Sequence, residues 1–208
     1  SRGQASEKGA VVVAPFDTEL FGHWWFEGPD FLGDLYAALP EHRSVRAVTA
    51  GEHLDAHDAP VAIQLAQGSW GANGDYSMWM NEQVRWTWPV IWELEETFWT
   101  LAADAVDRPE LHDVLAQAAR SLLLLQSSDW QFIISTGEVE DYAIKRFNGH
   151  ADDTRELLGV LRNGLQGIEG GAATGRIAEL EERDDVFRDI IPSIRQALAA
   201  RPAGTREG

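Results

Sequence analysis

Ala14-Pro15-Phe16-Asp17-Thr18-Glu19-Leu20-Phe21-Gly22-His23-Trp24-Trp25-Phe26-Glu27-Gly28-Pro29 follows directly on Gly9-Ala10-Val11-Val12-Val13. The valine run is short, apolar and β-branched, and it lies between turn residues. It reads as a buried strand of a parallel sheet, expected over Val11–Phe16. Then the composition changes abruptly: Asp17, Glu19, His23, Trp24, Trp25 and Glu27 fall within eleven residues. In α/β folds and barrels, ligand and catalytic groups gather at the carboxyl ends of strands, where loops vary without disturbing the sheet. Indole faces stack on sugar rings, and carboxylates grip hydroxyls or move protons. The stretch therefore reads as a site. The alternative is a strand-to-loop junction with a buried Trp-Trp plug and ordinary surface acids.

The rest of the composition narrows the chemistry. A chain of 208 residues, 44% hydrophobic and 25% charged, holds one large or two small globular domains. Nine tryptophans exceed what a core needs, because each buried indole N–H requires a partner. Several must be core; the excess, beside acids and histidine, fits a carbohydrate-binding surface. A formal net charge of −17 argues against nucleic acid and anionic membrane as partners. It is compatible with a neutral polysaccharide or a cationic partner. With no cysteine there is no disulfide framework and no thiolate chemistry. No apolar run approaches the roughly 18 residues of a membrane span. Ser1 opens neither the charged nor the apolar region of a signal peptide, and the chain does not start with Met. A fragment or a processed piece is expected.

Along the chain, Pro29 to Leu39 reads as a helix, with Pro29 suited to its first turn and Phe31, Leu32, Leu35 and Leu39 at helical spacing. Ser44 to Thr49 alternates as a second strand. Gly51 to Asp58 is a loop or short helix holding His53 and His57. Two histidines four apart can bind a metal on one helix face. No glutamate stands between them in the metalloprotease position and no third ligand follows, so a solvated or structural pair is the better reading. The glycines of Gln67-Gly68-Ser69-Trp70-Gly71-Ala72-Asn73-Gly74-Asp75-Tyr76-Ser77-Met78-Trp79 do not make a dinucleotide fingerprint. This is a loop that holds Trp70 and Trp79 out for a ligand.

From Gln83 the pattern is helical. Val84, Trp88, Ile91, Leu94, Phe98 and Leu101 make one apolar face, and Trp86, Trp92 and Trp99 a second, so this helix is expected to be buried between others. Pro109–Leu125, Glu138–Asn148, Ala151–Leu165, Arg176–Arg183 and Ile190–Ala200 read as further helices, with a glycine-rich connection over Gly164–Gly175. Asp129, in Gln126-Ser127-Ser128-Asp129-Trp130-Gln131, is either an N-cap or a group pointed at a ligand. The fold class expected is mainly α: a helical bundle preceded by the last β/α elements of an incomplete barrel. The expected division is 1–68, 69–198 and a polar tail, 199–208. Two strands do not make a stable sheet alone, so the first part reads as the end of a larger α/β domain.

Pro15-Phe16-Asp17-Thr18-Glu19-Leu20-Phe21-Gly22-His23-Trp24-Trp25-Phe26-Glu27-Gly28-Pro29 closely resembles a conserved region of glycoside hydrolase family 57. Ser69-Trp70-Gly71 with Trp79 resembles the next one. Ser127-Ser128-Asp129-Trp130-Gln131-Phe132, Tyr142-Ala143-Ile144-Lys145-Arg146-Phe147 and His150 are similar to the family's helical C-terminal domain. Leu180-Glu181-Glu182-Arg183-Asp184-Asp185-Val186-Phe187 resembles the closing segment of its α-glucan branching enzymes. The resemblance runs from residue 10 to residue 190. It implies a distorted (β/α)7 barrel followed by a helical domain that closes over the cleft, and retaining cleavage of α-glucosidic bonds. In the branching members, a piece of α-1,4 glucan is transferred to a 6-hydroxyl.

By the same resemblance, Asp17 matches the general acid/base, Trp70 and Trp79 match aromatic residues lining the glucan cleft, and Asp129 matches a sugar-binding acid. His23 and Trp25 are expected as walls of the cleft. The family's nucleophile, a glutamate of an earlier strand, has no match here. Retaining catalysis needs two carboxyls about 5–5.5 Å apart. Asp17 and Glu19 would lie about 6.6 Å apart on one strand face, but both on the same side of the sugar. They are not that pair, and Glu19 is expected to orient a neighbour or bind a hydroxyl. The chain alone is thus expected to be inactive. No cofactor and no metal is implied. The expected partners are α-1,4-glucan and a missing N-terminal barrel half, and the expected location is cytoplasmic. A 4-α-glucanotransferase, an α-glucan hydrolase and a non-catalytic glucan-binding protein are the alternatives.

Overall fold

The computed structural model describes residues 11–57, 61–71, 73–168 and 173–200. The chain divides into two compact units, Ser1–Leu65 and Ala66–Gly208.

The first unit holds a π-helical turn, Leu20–Trp24, and two helices, α1 (Gly28–Ala38) and α2 (Ala50–Ala56). Pro29 stands in the first turn of α1, where its missing N–H costs no hydrogen bond. A reciprocal capping box starts α2: the Thr49 hydroxyl accepts from the Glu52 N–H at 3.1 Å, and the Glu52 carboxylate accepts from the Thr49 N–H at 2.8 Å. An aromatic row runs Phe16, Phe21, Trp25, Phe31, with successive ring centroids 5.8, 5.7 and 4.8 Å apart. Gly28 lies against it; a Cβ there would meet the Phe21 Cα at 3.1 Å and the Trp25 ring at 3.3 Å.

Neither expected strand forms. Val11–Phe16 and Ser44–Thr49 make no ladder among the described residues, because an isolated strand leaves its N–H and C=O groups to water. Gly28 is the one buried residue among those described in this unit. Val12 and Val13 are 89% and 77% exposed, and Ile63 and Leu65 are equally bare.

The second unit owns the hydrophobic core. It comprises α3 (Thr87–Ala105), α4 (His112–Leu125), α5 (Asp129–Thr136), α6 (Glu140–Leu165), α7 (Ala173–Arg183) and α8 (Ile190–Ala200). The spine is α6, 26 residues and about 39 Å long, packed along α3, α4 and α5. Phe98, Leu115, Leu125, Ile134, Phe147, Leu157, Leu161 and Leu180 are almost wholly buried.

Three expectations change here. The two helices expected over 138–148 and 151–165 are one. Gly149 sits mid-helix in open space, at a cost of about 1 kcal/mol, while buried Phe147, His150, Ala151 and Thr154 hold the turns around it. Of the second apolar face expected on α3, Trp86 and Trp92 are exposed and only Trp99 packs against the core. The helix end within 164–175 falls at Leu165, followed by Gly167 at φ +76°, and α7 absorbs Gly175. Residues 169–172 and 201–208, and Asp58, lie outside the described residues.

Ion pairs join α7 to α6. The buried Asp153 carboxylate takes Arg176 at 2.5 Å and Arg183 at 2.7 Å, and Arg183 also grips Asp184. From α4, buried Arg120 donates to the carbonyl oxygens of Val186 and Arg188. The motif Leu180–Phe187 is thus a structural clasp: its charged residues fasten the end of α7 to the bundle.

Among the described residues, no helix is long and apolar enough to cross a membrane.

Candidate functional site

In the second unit the glycine-rich segment before α3 is a built loop. The Ser69 N–H donates to the Gly74 carbonyl at 3.1 Å, and the Tyr76 N–H to the Ser69 hydroxyl at 2.8 Å. Gly71 at φ +114° and Gly74 at φ +60° supply turns that side chains resist. Hydrogen bonds from Ser77 hold the Asp75 carboxyl below the usual carboxylate range. The loop's far end is pinned to α5: the Ser135 hydroxyl donates to the Met78 carbonyl at 2.7 Å and accepts from the Asn81 amide at 2.8 Å.

On this support Trp70 stands 60% exposed. Its ring meets Trp79 edge-on at 6.3 Å and Phe132 at 5.4 Å. The Trp79 indole N–H donates to the Ser128 carbonyl at 3.1 Å, and its own carbonyl accepts from the Trp88 indole at 2.9 Å. Asp129, exposed, is the first residue of α5, one position beyond that carbonyl. The cap position is Ser128, with no side-chain cap, so Asp129 is not an N-cap. Its Oδ2 accepts from the Ser127 hydroxyl at 2.7 Å. A carboxylate in the first turn is favoured there by the helix dipole.

The fold thus brings Trp70 and Trp79 to the first turn of α5, where Asp129 stands, through a bond that spans forty-nine positions. Phe132 joins them, which sequence reasoning missed. The available signal was its position three after Asp129, on the same face of α5. Indole and phenyl faces beside a carboxylate with a hydroxyl partner suit a polyol: C–H faces lie on rings, hydroxyls donate to the acid.

In the first unit, Asp17 and Glu19 are exposed at the start of the π-helical turn. Their carbonyls accept from Leu20 N–H at 3.1 Å and Gly22 N–H at 3.0 Å, so both side chains ride on a hydrogen-bonded turn. Trp25 is half-buried between Phe21 and Phe31, while Trp24 is 82% exposed. His23 belongs to the same turn; its side chain lies outside the described residues.

The His53 and His57 rings stack at 4.4 Å, and His57 Nδ1 is 3.0 Å from the His53 carbonyl. Among the described residues, no group of three or more His, Asp or Glu side chains could hold a metal ion.

Comparison with known proteins converges on one family. The family model described as "1,4-alpha-glucan branching enzyme, C-terminal" matches residues 91–194, from α3 into α8. A 1,4-alpha-glucan branching enzyme of Thermococcus kodakarensis is 42% identical over 187 residues, 89% of this chain and 27% of that relative. The crystal structure of a GH57-type branching enzyme from the archaeon Pyrococcus horikoshii superposes with a TM-score of 0.71 at 38% identity, covering 92% of this chain and 35% of that one. The α-amylase AmyC of Thermotoga maritima gives 0.61 at 32% identity, covering 89% and 33%. The chain therefore spans about a third or less of the length of the proteins it matches. With the matched region lying wholly inside its helical second unit, the chain belongs to the family of 1,4-alpha-glucan branching enzymes of glycoside hydrolase family 57, of which it carries C-terminal sequence.

Proposed function

We propose that this chain is the C-terminal part of a retaining α-glucan branching enzyme, which cleaves α-1,4 glucan and transfers the freed segment to a 6-hydroxyl. Asp17 is the acid/base: it protonates the leaving glycosidic oxygen, then takes the proton from the attacking 6-hydroxyl. Trp70, Trp79 and Asp129 hold the glucan, Glu19 orients a neighbour or binds a hydroxyl, and His23 and Trp25 wall the cleft. The nucleophilic carboxylate comes from a barrel half outside these 208 residues. The bare valines of 11–13 and the apolar run at 61–65 are the strips on which such a barrel half would add its strands. In this reading the terminal barrel elements are 1–68 and the helical domain 69–198, acting in the cytoplasm.

The observation that carries the reading is the packing of Trp70 against Trp79 and Phe132 at the start of α5, whose first residue is the exposed Asp129. In a full-length enzyme containing this chain, Asp17→Asn is expected to abolish transfer while leaving glucan binding near the parent value. Retained turnover would remove Asp17 from the role. The 208-residue chain alone is expected to bind glucan and not to turn it over; branching by this chain would sink the assignment of an outside nucleophile.

The likeness to an α-amylase supports a second reading, hydrolysis within the same family. Product analysis separates the two, because only branching creates α-1,6 linkages.

A further inference from the structure

The reading above leaves Trp92 unexplained. It is 58% exposed, on a helix whose buried stripe is complete without it: Thr87, Ile91, Leu94, Phe98, Ala102 and Ala105. Leaving an indole bare exposes the largest apolar side chain there is.

Trp92 is one of a set. Trp88, Trp92, Glu95 and Trp99 recur at spacings of four, three and four, which places them along one side of α3. From first to last the stripe covers about 16 Å. Its upper end is joined to the candidate site, where the Trp88 indole donates to the Trp79 carbonyl at 2.9 Å and its ring lies 6.1 Å from Trp92. At its middle, Glu95 accepts from the Gln126 amide at 3.0 Å. Gln126 immediately precedes Ser127, whose hydroxyl donates to Asp129. At the lower end, α3, α4 and α8 leave a cavity of about 240 Å³, lined in part by Trp99, Glu95, Gln126 and Ser193. One line of indoles and one line of carboxylate, amide and hydroxyl groups therefore run side by side away from Trp70 and Trp79.

We propose that this stripe of α3 is a second stretch of the glucan-binding surface, on which Trp92 and the Glu95–Gln126 pair form sugar subsites beyond Trp70 and Trp79. The proposal rests on the glucan reading above. The occupant is a linear segment of α-glucan several residues long. A net charge of −17 disfavours a polyanion. An apolar peptide would leave Glu95 and Gln126 facing an apolar surface, whereas sugar hydroxyls meet both groups and sugar C–H faces meet the indoles. The stripe is continuous with the candidate site through Trp88, so a chain bound at one end is delivered to the other. It gives the chain a way to prefer long glucans over short ones.

The test is calorimetric titration of the 208-residue chain with maltoheptaose and with maltotriose. Trp92→Ala is expected to weaken maltoheptaose about threefold to tenfold, the span of a single aromatic contact, and to leave maltotriose unchanged. Trp70→Ala is expected to weaken both. Unchanged maltoheptaose affinity in Trp92→Ala, with Trp70→Ala impaired, overturns the extension and leaves the glucan reading standing. If the unmodified chain binds neither sugar, the glucan reading falls and this proposal with it. If Trp92→Ala instead turns a dimer into a monomer at constant glucan affinity, the stripe is a contact between copies and the proposal is wrong. A measurement that needs no variant is hydroxyl-radical footprinting of the unmodified chain. Maltoheptaose, and not maltotriose, is expected to protect Trp92 from oxidation; equal oxidation with and without maltoheptaose overturns the subsite.

Discussion

The indole N–H of Trp79 donates to the carbonyl of Ser128, 3.1 Å away and forty-nine positions on in sequence. That bond ties the glycine-rich loop to the start of α5, one residue before Asp129. Trp79→Phe keeps a ring and removes the donor. It is expected to lower stability by about 1 kcal/mol, the net worth of one hydrogen bond, read as a lower urea midpoint. Glucan affinity should fall with it; an unchanged affinity would show that the bond does not position the site.

Asp153 is the hinge of the ionic clasp, buried, and shared between Arg176 and Arg183. Asp153→Asn keeps the shape and removes the charge. Both arginines are partly exposed, so water takes up some of the loss. The expected cost is about 1.5–3 kcal/mol, the range for hydrogen bonds to charged groups. Limited proteolysis should cut near α7 sooner in the variant than in the parent.

His150 lies under Trp130 and is almost wholly buried. Its Nε2 accepts from Arg146 at 3.1 Å, so the proton sits on Nδ1, which has no partner among the described residues. Burial first, and the Arg146 guanidinium second, hold its pKa below the usual histidine value. The unfolded chain then binds the proton more readily than the folded one. The stability from neutral His150 is present above the unfolded value of about 6.5 and is lost as pH falls below it toward the folded pKa. The melting temperature is expected to drop as pH is lowered through that window, and His150→Gln to flatten the drop.

Gly137 ends α5 at φ +75°, with its N–H on the Ile133 carbonyl at 3.0 Å. A side chain there is strained whatever the space around it. Gly137→Ala should cost about 1–2 kcal/mol, and Gly137→Asn less, in denaturant unfolding. Equal loss in both would mean that the left-handed conformation is not the cause.

Whatever depends on local pattern was legible along the chain. The apolar spacing of α4, α6 and α8 marked helices, the motif run at 15–29 marked the family, and the absence of cysteine and the charge of −17 excluded whole classes of chemistry. The sequence also picked out Trp70, Trp79 and Asp129 one at a time.

Whatever depends on neighbours emerged only with the packing. Val11–Phe16 has a strand's composition, but a strand exists only when another pairs with it, and none does among the described residues. The helices expected over 138–148 and 151–165 are one through Gly149, because burial on either side outweighs one glycine's propensity. Asp129 could have been a cap; Ser128 holds that position instead. Trp92 was expected in the core and faces solvent. A periodicity shows that a residue lies on a face. Only the helices packed around it decide whether that face is core or surface, because burial is a property of the partner as much as of the residue.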